Sequence, residues 1–216
     1  MSKPYVYTAV GDSLTFGTGA PDQLGFAYRV QRTVGAYRTV DWRNFGVVGA
    51  TASDLLEHLR ENEELRRSVA QSELVTLTAG GNDLIQAALK MYVEGASRSM
   101  KPPMRRFAIA YGELVEELAK LNRLTERSSL LVVTDCYNPF PQVRDAVLWV
   151  QFVNRCIRRT AAAYGGKVLV ANVYEAFLGK EVAYMAEDLV HPNADGHEAL
   201  ARAVSAALAS ARGRSA

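Results

Sequence analysis

The sequence predicts an α/β fold in which a five-stranded parallel sheet is covered by helices on both faces, a three-layer α/β/α sandwich. Five short apolar runs rich in Val, Leu and Tyr lie at residues 5–10, 39–45, 74–78, 130–134 and 168–173, each closing on a turn rich in Gly, Asn, Asp or Pro. Segments with helical spacing separate them. Parallel neighbours need such crossovers, so strands alternating with helices predict one parallel sheet.

The run at 5–10 is the first buried strand and ends in Gly11-Asp12-Ser13-Leu14. The second, 39–45, enters Asn44-Phe45-Gly46-Val47-Val48-Gly49, and His58 beyond it falls in an amphipathic stretch as an exposed helical residue. The third, 74–78, leads into Gly80-Gly81-Asn82-Asp83, where Asp83 suits a helix cap. Residues 84–106 keep no clean period, because Met91, Met100 and Met104 are interspersed with Gly95, Ser97, Ser99, Pro102 and Pro103, which predicts a helix followed by a mobile loop. Phe107, Tyr111, Leu114, Leu118 and Leu121 form the stripe of the next helix, and Val150, Val153, Ile157, Ala161 and Tyr164 that of another beyond the fourth strand. After the fifth strand, Leu200, Val204, Ala207, Leu208 and Ala211 mark a last helix, with Pro192 in its first turn and a fraying tail at 210–216. No repeat or Gly/Ser-rich linker divides the chain, so residues 1–216 read as a single domain.

Composition narrows the classes. A hydrophobic share of 49% with 22% charged residues excludes disorder and fibrous structure, and a formal charge of +2 gives no reason to expect a nucleic-acid or anionic-membrane partner. Cys136 and Cys156 lack the spacing of a zinc ribbon or a redox CxxC pair; both read as small core residues in a reducing, cytoplasmic setting. The apolar run near the amino terminus is shorter than a signal-peptide core or a membrane span.

In open parallel sheets ligands bind beyond the carboxyl ends of the strands. Four of those ends hold the parts of an acyl-transfer site. Ser13 is the candidate nucleophile, inert at neutral pH unless a base takes its proton, and His191 is the candidate base. Asp188, three residues earlier, can reach the other ring nitrogen and hold the tautomer. Oxyanion donors are the backbone N–H groups of Ser13 and of Gly49, where a missing side chain permits close approach, and the side-chain amide of Asn82.

Gly11-Asp12-Ser13-Leu14, the Gly49 turn, Gly80-x-Asn82-Asp83 and Asp188-x-x-His191-Pro192, in that order, resemble the four signature blocks of the GDSL/SGNH hydrolase family. The resemblance spans nearly the whole chain and implies a flavodoxin-like sheet ordered 2-1-3-4-5. It assigns Ser13 as nucleophile, His191 as base, Asp188 as its orienter, and Ser13, Gly49 and Asn82 as oxyanion donors. Implied too are ester hydrolysis without metal or cofactor and a small-molecule ester as the partner, in a family that includes esterases, lipases, thioesterases and carbohydrate deacetylases.

Competing readings remain at this point. Gly-Asp-Ser alone serves equally as a turn with Ser13 as an N-cap. Asp188, His191, Asp195 and His197 crowd one segment and could serve a metal-dependent hydrolase, although Asp195 and His197 are two apart and diverge on a helix. His197 itself reads as a surface or supporting residue. A noncatalytic flavodoxin-like binding module is a third possibility. The Gly-x-Ser-x-Gly elbow, the Walker loop and a GxGxxG turn after a strand are absent. The expected pocket walls are Phe16, residues 136–140, the Met-bearing stretch 84–106 and residues 177–185. With no long amphipathic lid in the chain, short to medium acyl esters are the expected substrates.

Overall fold

The computed structural model describes residues 3–92, 99–124 and 128–213. Strands β1 (Tyr5–Gly11), β2 (Val40–Gly46), β3 (Leu74–Thr78), β4 (Leu130–Thr134) and β5 (Val168–Ala171) pair in parallel in the order β2-β1-β3-β4-β5. Alternation along each strand divides the core. Tyr7, Ala9, Leu74, Val132, Leu169 and Ala171 face one layer, with helices α2 (Phe26–Gly35), α8 (Val173–Phe177) and α10 (Ala194–Gly213) packed over them. Val10, Val75, Leu77, Leu131, Val133 and Val168 face the other, under α3 (Ala52–Glu61), α4 (Glu63–Gln71), α5 (Gly81–Tyr92), α6 (Lys101–Asn122) and α7 (Arg144–Ala162). Two short helices, α1 (Ser13–Phe16) and α9 (Glu181–Tyr184), lie in loops. Leu77 and Val133 are wholly buried, and each such side chain contributes about 1.5–3 kcal/mol.

Several expectations are corrected. The edge strand β2 is half-buried rather than buried; only one neighbour covers it, and its Asp41 and Arg43 pair with each other at 2.8 Å. The fifth strand stops at Ala171, because Asn172 turns the chain and Val173 opens α8. Tyr164 lies beyond the end of α7, where its carbonyl accepts a bond from Lys167 N–H at 3.0 Å. Pro102 and Pro103, which broke the pattern in sequence, occupy the first turn of α6, where a missing N–H leaves no helical bond unmade. Pro192, conversely, precedes α10 and forms an antiparallel bridge with Met185. Helix α10 runs on through Gly213, so residues 210–213 are helical; residues 93–98 and 214–216, where the mobile loop and the end of the fraying tail were expected, lie outside the described residues. His58 is half-buried in α3.

His197 is not a surface residue. It is completely buried in α10, its Nδ1 accepting the Phe26 N–H at 3.1 Å and its Nε2 donating to the Thr18 carbonyl at 2.9 Å. A protonated ring would bring an N–H against the Phe26 N–H. Burial above all, with the nearby Arg29 and His191 charges, holds its pKa at about 4 against an ordinary 6.5, while the Thr18 bond opposes this. Because the folded value is depressed, the stabilisation is present above pH 6.5 and declines as pH falls towards about 4, by roughly 3 kcal/mol in all. His197→Gln offers one acceptor and one donor without titrating. Denaturant melts from pH 7 to 4 are expected to show wild type losing stability relative to this variant; parallel curves would refute the account.

Candidate active site

The active-site edge is built at the carboxyl end of β1. Gly11 is at φ +150°, and a β-carbon there would collide with Thr78 and the Thr15 hydroxyl, so only glycine lets the chain turn this closely. Asp12 then caps α1: its Oδ1 accepts the Leu14 N–H at 3.0 Å and the Thr78 hydroxyl at 2.8 Å, and Thr15 Oγ1 lies 2.8 Å from Thr78 Oγ1. Burial pushes the Asp12 carboxyl above its ordinary pKa against these bonds, which favour the charged form. The network fixes Ser13, which is 5% exposed, at the first position of α1.

Ser13 Oγ stands 2.9 Å from His191 Nε2, and His191 Nδ1 stands 2.5 Å from Asp188 Oδ2. A carboxylate only accepts, so the Nδ1 proton points to Asp188 and the Nε2 lone pair faces the serine. The other Asp188 oxygen accepts the N–H groups of Val190 and His191 at 2.9 and 2.8 Å. Partial burial raises the Asp188 pKa, but its hydrogen bonds with His191 and Val190 outweigh it and leave the carboxyl below its ordinary value. Leu189, inside this turn, is left-handed at φ +58° and 64% exposed, a conformation that costs a non-glycine residue of the order of 1–2 kcal/mol.

Asn82, in the first turn of α5, lines the same cavity as Ser13 and His191; its amide donates to the Ala50 carbonyl at 2.9 Å and retains a second N–H. Gly49 does not line the cavity and adjoins the Ala50 that binds Asn82. Its glycine is selected by φ +83° rather than by crowding, since no atom lies within 4 Å of where a β-carbon would stand. Among the described residues the backbone N–H groups of Ser13 and Gly49 engage no partner. Asp83 does cap a helix, that of α3 rather than its own: its carboxylate accepts Ala52 N–H at 3.0 Å.

The cavity, about 140 Å³, lies between α5 and α7 and is mostly apolar, walled by Leu84, Ile85, Ala88, Ala146, Trp149, Val150 and the 136–140 loop. Of the expected walls, that loop and the start of 84–106 contribute. The methionines do not, Met104 being buried in the core. Phe16 is exposed outside the cavity, and residues 177–185 supply core side chains such as Phe177 instead. Trp149 and Val150 were missed as walls, although the helical stripe containing Val150 was visible. Cys136 lines the cavity and is only partly buried; burial and the neighbouring acidic groups raise its pKa well above the ordinary value, which keeps it a thiol. Cys156 is also partly buried, on α7. Asn154 clamps Cys136, accepting its N–H and donating to its carbonyl, both at 2.8 Å.

The four residues of the metal reading do not converge. Both His197 nitrogens are engaged elsewhere, and no group of three or more His, Cys, Asp or Glu suited to a metal occurs among the described residues. No helix among them is long and apolar enough to cross a membrane. A larger groove, about 1170 Å³, runs along β5 between α7, α8 and α10, away from Ser13 and His191.

A sheet in this order, with a serine, a histidine and an aspartate joined at its carboxyl edge, is the architecture of a compact ester hydrolase, and the chain belongs to the GDSL-like lipase/acylhydrolase family, whose model matches residues 9–199. It is 30% identical over 213 residues to the spore germination lipase LipC of Bacillus licheniformis, an alignment covering 93% of this chain and 95% of that one. Among solved structures it resembles the lipase Lip_vut3 from a goat rumen metagenome, at 29% identity and TM-score 0.85 over 94% and 97% of the two chains. A variant of the acetyl xylan esterase Axe2 of Geobacillus stearothermophilus shares the fold at 19% identity and TM-score 0.70, over 94% of each chain.

Removal of the Asp83 carboxylate leaves the Ala52 N–H in the first turn of α3 without its acceptor, while the Thr51–Asp54 capping box of that helix stays in place. Asp83→Ala is expected to lower stability by about 1 kcal/mol, read by thermal melting, with a smaller effect on turnover. A drop in kcat as large as that of an oxyanion-donor variant, without loss of stability, would contradict this helix-capping role.

Proposed function

We propose that this chain hydrolyses small carboxylic esters through an acyl-enzyme intermediate on Ser13. The observation that carries the reading is the hydrogen-bonded series Ser13–His191–Asp188 opening on an apolar cavity. As Ser13 Oγ attacks the ester carbonyl, its proton passes to His191 Nε2, and Asp188 stabilises the imidazolium. The carbonyl oxygen becomes an oxyanion, met by the N–H groups of Ser13 and Gly49 and the free amide N–H of Asn82. Collapse expels the alcohol, which takes the proton from His191. Water, deprotonated by the same ring, then releases the acid and restores the serine.

The acyl chain lies in the cavity. Its limited size and the Trp149 wall favour short to medium chains, each methylene adding about 0.8 kcal/mol until the space is full. The names of the lipase and acetyl esterase relatives are consistent with an ester substrate. The same reading takes residues 1–216 as one domain acting in the cytoplasm, supported by two core layers that share one sheet and by two free thiols.

Ser13→Ala is expected to abolish hydrolysis of an activated acetate ester and labelling by a phosphonate while retaining the fold. His191→Ala and Asp188→Ala are each severe, and the double variant is far from multiplicatively worse. Residual activity above a few per cent in Ser13→Ala would overturn the assignment. Asn82→Ala should lower kcat about 10²- to 10³-fold with a smaller change in KM; an unchanged kcat would remove Asn82 from the oxyanion site. Across a series of acyl lengths the rate is expected to rise over a few carbons and then fall. A steady climb to long chains with a jump at micelle formation would rule out the short-chain preference.

A further inference from the structure

We infer that Tyr137 is a positioning residue for His191, holding the base loop in register through its hydroxyl; this rests on the reading of His191 as the base. The Tyr137 hydroxyl donates to the Val190 carbonyl at 2.6 Å. That carbonyl belongs to the peptide unit immediately before His191, and the N–H at the other end of the same unit donates to Asp188 Oδ1 at 2.8 Å. One peptide plane is thus gripped at both ends. The next carbonyl, of His191 itself, accepts Ala186 N–H at 2.8 Å. With these bonds the direction of the Cα–Cβ bond of His191 is fixed, and with it the line from Nε2 to Ser13.

The turn needs such a grip. Leu189 is left-handed and its side chain extends into solvent, so no packing of that residue holds the loop. Asp188 is a member of the loop and cannot anchor it to the body of the protein. Tyr137 can, because it follows β4 and its ring stacks on the buried Phe177 at 4.5 Å between centroids, with Tyr184 edge-on to Phe177 at 5.2 Å. Tyr137 also lines the cavity, so one side chain touches both the proposed acyl wall and the base loop. Burial keeps its phenol protonated and therefore a donor.

Tyr137→Phe removes the oxygen and leaves the stacked ring. The expected result, at a temperature well below melting, is a fall in kcat of about tenfold with KM within about twofold, matched by a similar fall in the rate at which a phosphonate labels Ser13. Tyr7→Phe is the comparison, since it removes a buried hydroxyl bonded to Thr76 at 2.9 Å in β1 and is expected to lower melting temperature without lowering kcat. A Tyr137→Phe enzyme with wild-type kcat and labelling rate overturns the inference, as does activity loss in both variants in proportion to lost stability. His191→Ala is measured alongside. If it is inactive while Tyr137→Phe is normal, only the role of Tyr137 fails; if it remains active, the reading of His191 as base fails and this inference with it.

Discussion

Parallel pairing is the constraint on which the rest of the molecule depends. It sends every strand's carboxyl end to one edge of the sheet, and the register sets Gly11 beside Gly46 on one side and Thr78 on the other. Four loops from distant parts of the sequence therefore leave the sheet side by side. The space between them is closed by a small polar knot, Asp12 with Thr15 and Thr78, whose bonds replace the water those groups lose on burial. Without the missing β-carbon of Gly11 the knot could not close, and α1 could not start where it does.

The parts of the site were legible in sequence to the degree that their signals are local. A glycine followed within two residues by a short polar side chain marks a turn at a strand end, and Gly11-Asp12-Ser13 and Gly80-Gly81-Asn82, with Gly11 and Gly80 both at positive φ, are such turns. Asp188 and His191 lie three apart, so their pairing follows from chain geometry. The apolar runs that mark the strands were equally readable, as were the stripes of α6, α7 and α10.

What escaped the sequence depends on partners far away along the chain. Nothing near Asn154 says that it brackets Cys136, or that His197 ties α10 to Thr18 and Phe26 and must be buried and neutral to do so. Part of the cavity wall was misplaced for the same reason. A methionine-rich stretch looked adaptable, yet Met104 faces the core while Trp149, on a helix read only for its stripe, closes the pocket. Pro102 and Pro103 misled because proline halts a helix from inside and begins one at its first turn, and sequence alone does not say which.

Ser13 and His191 touch across a separation of 178 residues. During synthesis the serine turn emerges early, but the ring that addresses it arrives only after all five strands have left the ribosome and the chain has returned to β1. In the proposed mechanism a nascent chain thus carries an unactivated alcohol throughout its growth, and the Ser13–His191 pairing is among the last to be assembled. Under the proposed mechanism, hydrolytic competence therefore reports that the chain carrying His191 has closed back onto the carboxyl end of β1.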